Sequence, residues 1–259
     1  MNNITLANIA YSIATKYKTL YVTGGQGQRL TAEYKKMFID RYPSNRERRS
    51  DTIMSASADT WAFDCNGLIK AIINGWTGDP TKPRGGAIYD KAIKDITCEA
   101  MIAECTEVST DFNKIEIGEL LYMAGHVGVC VSVSPLLAVE ATAKWDGTVQ
   151  VTSINCYVKG YERRDWQKHG KMSKYIEYHE PYIMVKTIDL KRGARGSYVK
   201  TIQTLLQNYG AGEIDGRYGP ATETAVKAFQ ATHKDLDGVP LEIDGKTGPL
   251  TWASILRGD

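Results

Sequence analysis

The chain has 259 residues, 42% hydrophobic and 24% charged, with 24 Gly, 8 Pro and a formal charge of +2. This composition excludes a disordered chain and a collagen-like fibre, and it leaves length for one large domain or two unequal ones. With 32 Lys and Arg against 30 Asp and Glu, no overall field selects nucleic acid or an acidic membrane as the partner, so function must reside in local sites.

The start, MNNITLANIA, has no basic residue before Lys16 and no apolar core of signal-peptide length. No stretch approaches the ~18 apolar residues of a membrane span. The expectation is a product made in the cytoplasm, which would need another exit route to act outside it. The run GGQGQ at 24–28 lacks the Lys-Ser/Thr ending and following helix of a phosphate loop. The stretch from there to Asp64 carries Arg41, Arg46, Arg48 and Arg49 and is expected to be a solvated loop, with a lid or a contact to an anionic polymer as the functional alternative.

In FDCNGLIKAIINGW (63–76), Leu68, Ile69, Ile72 and Ile73 fall at helical spacing, which predicts a helix starting near Asp64 with one face inward. Asp64 is its candidate N-cap. Cys65 then lies in the first turn, where unsatisfied amides and the helix dipole favour the nucleophilic thiolate. Gly67, a poor helix former, fits a close approach to the backbone, such as that of a substrate carbonyl using first-turn amides as an oxyanion hole. On this segment alone, a buried and inert cysteine carries equal weight. Cys98 and Cys105, seven apart in KAIKDITCEAMIAEC, read as a helical stripe that packs. The five cysteines contain no C-x-x-C pair, and Cys156, His169 and His179 show no ligand spacing, so neither a metal nor a cofactor is expected.

Further on, His126, Gly128, Cys130 and Ser132 alternate with Val127, Val129, Val131 and Val133, the period of a strand with one apolar and one small, polar face. On the small face His126 could lie across from the Cys65 helix, with Gly128 leaving room for the approach; a hydrogen-bonded core histidine is the alternative. In LLAVEATAKW, Glu140 shares a strand face with Ala138 and Thr142, from which a carboxylate could fix the tautomer of His126. The aromatic, basic tail YERRDWQKHGKMSKYIEYHEP is expected to seal this region before a linker around 182–187.

Near the C-terminus EIDGRYGPAT begins at Glu213 and EIDGKTGPLT at Glu242, an internal repeat offset by 29 residues. In each copy Asp-Gly predicts a tight turn and Gly-Pro a helix start with Pro at the first position. The helices that follow place Ala225, Val226 and Phe229 on one face, and Trp252 and Leu256 four apart. An earlier helix, SYVKTIQTLLQNYG, places Val199, Ile202, Leu205 and Leu206 at helical spacing, with Gly210 as its stop. From Asp189 onward nine basic and nine acidic residues cancel, and the only histidine is His233. The reading is a compact three-helix module.

Two stretches resemble known families. LKRGARG (190–196), VKTIQTLL, IDGRYGPATETAVKAFQ and IDGKTGPLTW resemble the three-helix peptidoglycan-binding domain found at the ends of bacterial and phage cell-wall hydrolases. LYVTGG (20–25), FDCNGL (63–68), GELLYMAGHVGVCVS (118–132) and AVEAT (138–142) resemble, in that order, the NlpC family of papain-like cell-wall cysteine peptidases. That family's pattern runs Y-V-x-G-G, F-D-C-S-G-L, G-D-L leading into G-H-V-G-I-Y, and a third polar residue on the next strand.

The resemblance implies a papain-like α+β catalytic domain over 1–182 and an all-α three-helix domain over 187–259. It implies Cys65 as nucleophile, His126 as general base and acid, Glu140 as its orienting partner, and Tyr21 near the thiol as a substrate or oxyanion contact. Asp64, Asn66, Gly67 and Gly125 are then expected at the substrate. Asn66 stands where the family has serine, and Glu140 where many members have His, Asn or Gln. The whole reads as a monomeric peptidoglycan hydrolase of the endolysin type, acting on Gram-positive walls without metal or cofactor. Its expected bond is that between γ-D-glutamate and the diamino acid, with N-acetylmuramoyl-L-alanine amidase activity or a catalytically silent wall-binding protein as alternatives.

Overall fold

A computed structural model describes residues 1–178, 189–235 and 238–257, with the side chains of 256 and 257 left out. The chain divides into two compact units, Met1–Tyr178 and His179–Asp259. The expected linker at 182–187, together with His179, lies outside the described residues, as does the side chain of Leu256.

The first unit is mixed α/β. Helix α1 (Asn3–Lys16) is capped by the Asn2 side chain, which accepts from the Thr5 amide at 2.8 Å. Strands β1 (Thr19–Tyr21) and β2 (Gln26–Arg29) flank β3 (Trp61–Phe63) in a small sheet, β1 parallel and β2 antiparallel to it. The Arg-rich stretch between β2 and β3 departs from the expected loop. It folds into α2 (Ala32–Arg41), α3 (Pro43–Arg48) and α4 (Ser50–Ser55) around fully buried Phe38 and Ile53. Arg41, Arg46 and Arg48 remain solvated. Tyr34, Met37, Ile39 and Tyr42 pack against this core, and the Asn45 side chain, also fully buried, donates to the carbonyls of Thr23 (3.0 Å) and Phe38 (3.1 Å), satisfying backbone that would otherwise be buried unpaired.

Helix α5 (Cys65–Ile73) is the centre of this unit. Leu68, Ile69 and Ile72 are fully buried, which contributes about 1.5–3 kcal/mol for each side chain. The expected single inward face is too narrow a description, since Lys70 and Ala71 are buried as well. α5 packs against α1, β2 and the large sheet on different sides, and Lys70 ion-pairs with Asp95 on a loop that covers the remaining side.

After α6 (Cys98–Ala103) the large sheet comprises β4 (Thr106–Ser109), β5 (Leu120–Met123), β6 (His126–Val133), β7 (Leu136–Ala141), β8 (Val149–Ile154), β9 (Glu162–Arg164) and β10 (Lys168–Lys171). Its order is β4-β10-β5-β6-β7-β8-β9, antiparallel except for the β8–β9 edge. β5, β6, β7 and β8 form an antiparallel meander, so residues far apart in sequence share one face by simple alternation. α5 lies on β6 and β7, which brings the first turn of the helix to the first residues of β6.

The second unit holds α7 (Ser197–Leu205), α8 (Pro220–Thr232) and α9 (Pro249–Arg257). Val199, Ile202, Leu206, Ala225, Val226, Phe229 and Trp252 are buried in one core. Leu205 is not part of it: at 43% exposure it points outward, because successive helical residues are turned by about 100° and only its neighbour Leu206 faces in.

The duplication extends beyond the ten repeated residues. Gln203 of α7 donates to Asp215 Oδ1 (2.9 Å) and Thr222 Oγ1 (3.2 Å) while its Oε1 accepts from the Gly216 amide (2.9 Å). Gln230 of α8 makes the same three bonds to Asp244 (3.0 Å), Thr251 (3.1 Å) and the Gly245 amide (2.9 Å). Gly216 and Gly245 sit at φ +76° and +71°, the left-handed region these turns require. Each buried glutamine thus clamps the Asp-Gly turn that launches the next helix.

Candidate active site

Asp64 caps α5 through its side chain, whose Oδ1 accepts from the Gly67 amide at 2.6 Å. Its Oδ2 accepts from the Gly24 amide at 2.7 Å, tying the turn between β1 and β2 to the helix start. Both carboxylate oxygens therefore hold the helix start and the turn together. Burial, and secondarily the Cys65 charge, push the Asp64 carboxyl up to about 6, against the pull of these two amides.

Gly67 is likewise engaged within the fold. Its amide is taken by Asp64, and a Cβ placed there would stand 1.9 Å from the Gly25 carbonyl oxygen. The close approach that requires glycine is made by the protein's own β1–β2 turn and not by a substrate carbonyl. Asn66 donates to the Ile96 carbonyl at 2.9 Å, and the Gly125 amide donates to Glu99 at 3.1 Å. Both bonds hold the segment around α6 against the site.

Cys65, Tyr21, His126 and Glu140 are brought together. The Cys65 thiol is held far below the usual range, at about 4: first by a hydrogen bond from Cys98, and further by His126 and the Val127 amide, against the effect of burial. The two sulfurs are 3.6 Å apart. His126 Nε2 lies 2.6 Å from Glu140 Oε2, which leaves Nδ1 as the ring nitrogen facing the sulfur. Burial disfavours the imidazolium, but hydrogen bonds and charge from Cys65 and Glu140 outweigh it and raise the ring to about 9. Thiolate and imidazolium therefore form a pair. Tyr21 is held above the usual phenol range by burial and by the nearby Cys65 and Asp64 charges, so its hydroxyl stays protonated as a donor.

Glu140 is completely buried, and burial alone would neutralise it. His126 and Arg164 reverse this and hold the carboxyl below its usual value. Arg164 Nε reaches both Glu140 oxygens (3.1 and 3.0 Å) and Nη2 reaches Oε2 at 2.7 Å and Thr142 Oγ1 at 3.0 Å. Thr152 Oγ1 donates to Glu140 Oε1 at 2.7 Å. The Trp166 ring stacks on His126, centroids 5.5 Å apart and planes 11° apart. Gly128 does leave room, but for Trp166, whose ring a Cβ would meet at 2.8 Å.

Arg164, Thr152, Trp166 and Cys98 are absent from the sequence-level site. Arg164 and Trp166 lie in the tail expected only to seal the domain, and Cys98 in a stripe expected only to pack. The signal for Arg164 was the charge of Glu140 itself, since a carboxylate between Val139 and Ala141 on a central strand needs a cation.

Among the described residues, no group of three or more His, Cys, Asp or Glu gathers as a metal site. No helix there is long and apolar enough to cross a membrane.

Residues 195–255 match the family described as putative peptidoglycan binding domain. The C-terminal unit carries a peptidoglycan-binding domain. Within it His233 stacks on Phe229 with ring centroids 3.8 Å apart and accepts or donates to Tyr209 at 3.3 Å, which makes it a packing residue. The chain is also 38% identical over 69 residues to a Kitasatospora aureofaciens protein described as an uncharacterized protein in the bpoA1 3′ region. The match covers 26% of this chain and 53% of that protein, so the chain spans about half the length of the curated relative it matches. No solved structure matches the chain at a significant level.

Proposed function

We propose that the first unit is a papain-like cysteine peptidase of the NlpC type that hydrolyses an amide in the peptidoglycan stem peptide. The observation that carries this reading is the Cys65–His126–Glu140 constellation on a chain with a peptidoglycan-binding domain. The Cys65 thiolate attacks the amide carbonyl and forms a C–S bond. The Cys65 backbone amide, one of the first-turn N–H groups without an intrahelical acceptor, and the Tyr21 hydroxyl stabilise the oxyanion. His126 gives its proton to the departing amine, and the C–N bond breaks. Neutral His126 then takes a proton from water, which attacks the thioester and releases the acid with regeneration of Cys65. The binding domain raises the local concentration of substrate around the enzyme.

The bond assigned is that between γ-D-glutamate and the diamino acid. Digestion of purified Gram-positive walls, followed by mass spectrometry of the soluble fragments, tests both levels. A new free amine on the diamino acid supports the assignment, and one on L-alanine would move the enzyme to the amidases. Walls that release no fragments would overturn the hydrolase reading.

A further inference from the structure

We propose that Cys65 and Cys98 form a site of reversible thiol oxidation, in which a disulfide closes over the nucleophile. For its functional consequence this rests on the reading of Cys65 as the nucleophile; the chemistry itself does not. The sulfurs are in van der Waals contact at 3.6 Å, each at the first position of a helix, α5 and α6.

Local structure holds the two first turns together. The Thr97 hydroxyl caps α6, accepting from the Ala100 amide at 3.2 Å. The Asn66 side chain, next to Cys65, donates to the Ile96 carbonyl two residues before Cys98. Glu99 accepts from the amide of Gly125, which precedes His126. The first turn of α6 is thereby fastened to both the cysteine helix and the histidine strand.

Two of the other three cysteines are placed differently. The Cys105 thiol donates to the Met101 carbonyl at 3.4 Å and that of Cys130 to the Ser132 carbonyl at 3.6 Å, and burial holds both above the usual thiol range. Cys65, held as thiolate, is the sulfur that reacts with electrophiles. Cys98, pushed up by its hydrogen bond to Cys65 and by burial, keeps its proton while Cys65 is charged.

A hydroperoxide supplies the oxidant. The Cys65 thiolate attacks a peroxide oxygen, the S–O bond forms, the O–O bond breaks, and hydroxide or alkoxide leaves and takes up a proton. The product is Cys65 sulfenic acid. This modification removes the negative charge that held the Cys98 proton. The Cys98 sulfur then attacks the Cys65 sulfur, the S–S bond forms, the S–O bond breaks, and hydroxide leaves with the Cys98 proton as water. Two thiols have lost two electrons and one peroxide has been reduced; a dithiol reverses the change by exchange. Without Cys98, the sulfenic acid would continue to sulfinic acid, which dithiols do not reduce.

The test treats the reduced full-length protein with hydrogen peroxide, blocks remaining thiols with iodoacetamide, and maps peptides without reductant. The expected result is a linked peptide pair containing Cys65 and Cys98, with loss of Cys65 labelling that dithiothreitol restores. In Cys98→Ser, which keeps a hydroxyl donor, the link should be absent and Cys65 should gain two oxygens irreversibly. Accumulation of sulfinic acid at Cys65 of the unaltered protein, or a link from Cys65 to Cys105, Cys130 or Cys156, would overturn the proposal. These readouts need no substrate: protein that forms the link under peroxide but, once fully reduced, releases no wall fragments would sink the hydrolase reading and leave the oxidation site standing.

Discussion

A thiolate and an imidazolium coexist only between the pH at which the thiol ionises and the pH at which the ring loses its proton, here about 4 for Cys65 and about 9 for His126. In the proposed mechanism the nucleophile is protonated below the first, and the acid for the leaving amine is gone above the second. Labelling of Cys65 by iodoacetamide should therefore rise near pH 4, where an ordinary thiol is inert, and stay high above pH 9. Wall hydrolysis should rise with it but fall again above pH 9. A labelling midpoint near the ordinary thiol value of about 8.5 would exclude the ion pair. Glu140→Gln removes the carboxylate charge that raises His126, so its alkaline limb should move to lower pH while the acid limb of labelling moves little. Arg164→Met acts on the same group from the other side. It leaves the buried carboxylate with His126 as its one remaining cation, at a cost of up to about 3–5 kcal/mol, and thermal unfolding of the variant should register it. Cys65→Ala should abolish lysis and leave binding to walls intact, and persistence of lysis would refute the nucleophile.

At the scale of elements, α5, β6 and β7 are legible in the sequence because each carries its own periodicity: Leu68, Ile69, Ile72 and Ile73 for the helix, alternating valines for β6, Glu140 among small apolar residues for β7. Their convergence is harder to see, and the groups around them harder still. Arg164 reaches Glu140 across 24 residues because β9 runs parallel to β8, and a parallel edge pairing leaves no hairpin signal. Cys98 reaches Cys65 from a six-residue helix whose placement depends on tertiary bonds to Asn66 and Gly125. Helices α2, α3 and α4 were hidden because charges dominate their surface and single residues, Phe38 and Ile53, anchor them. Gly67 was legible as a close approach but not as whose. The structure makes that distinction testable, because Gly67→Ala must displace the Gly25 carbonyl and the turn that carries it. Overpacking of this kind costs about 1–3 kcal/mol, so the melting temperature should fall. An unchanged melting temperature would mean that the turn yields freely.

For the whole molecule, each unit has its own buried core, which permits chemistry and attachment to be separated. The Cys65, His126, Glu140 and Arg164 side chains all lie within the first 178 residues, and their contacts are made there. A tethered binder acts through effective concentration, which matters for a fixed wall and not for a small dissolved fragment. A chain ending at Tyr178 is therefore expected to hydrolyse soluble stem-peptide fragments at a rate near that of the full chain and to lose most of its activity on intact walls at low enzyme concentration. Raising the enzyme concentration should recover the wall activity, since attachment supplies encounter and not chemistry. Parallel assays on soluble fragments and on walls, each over a range of enzyme concentration, distinguish the two roles. Equal losses on both substrates would show that the C-terminal unit supports the catalytic unit itself, and undiminished wall activity at low concentration would show that its attachment contributes nothing to turnover.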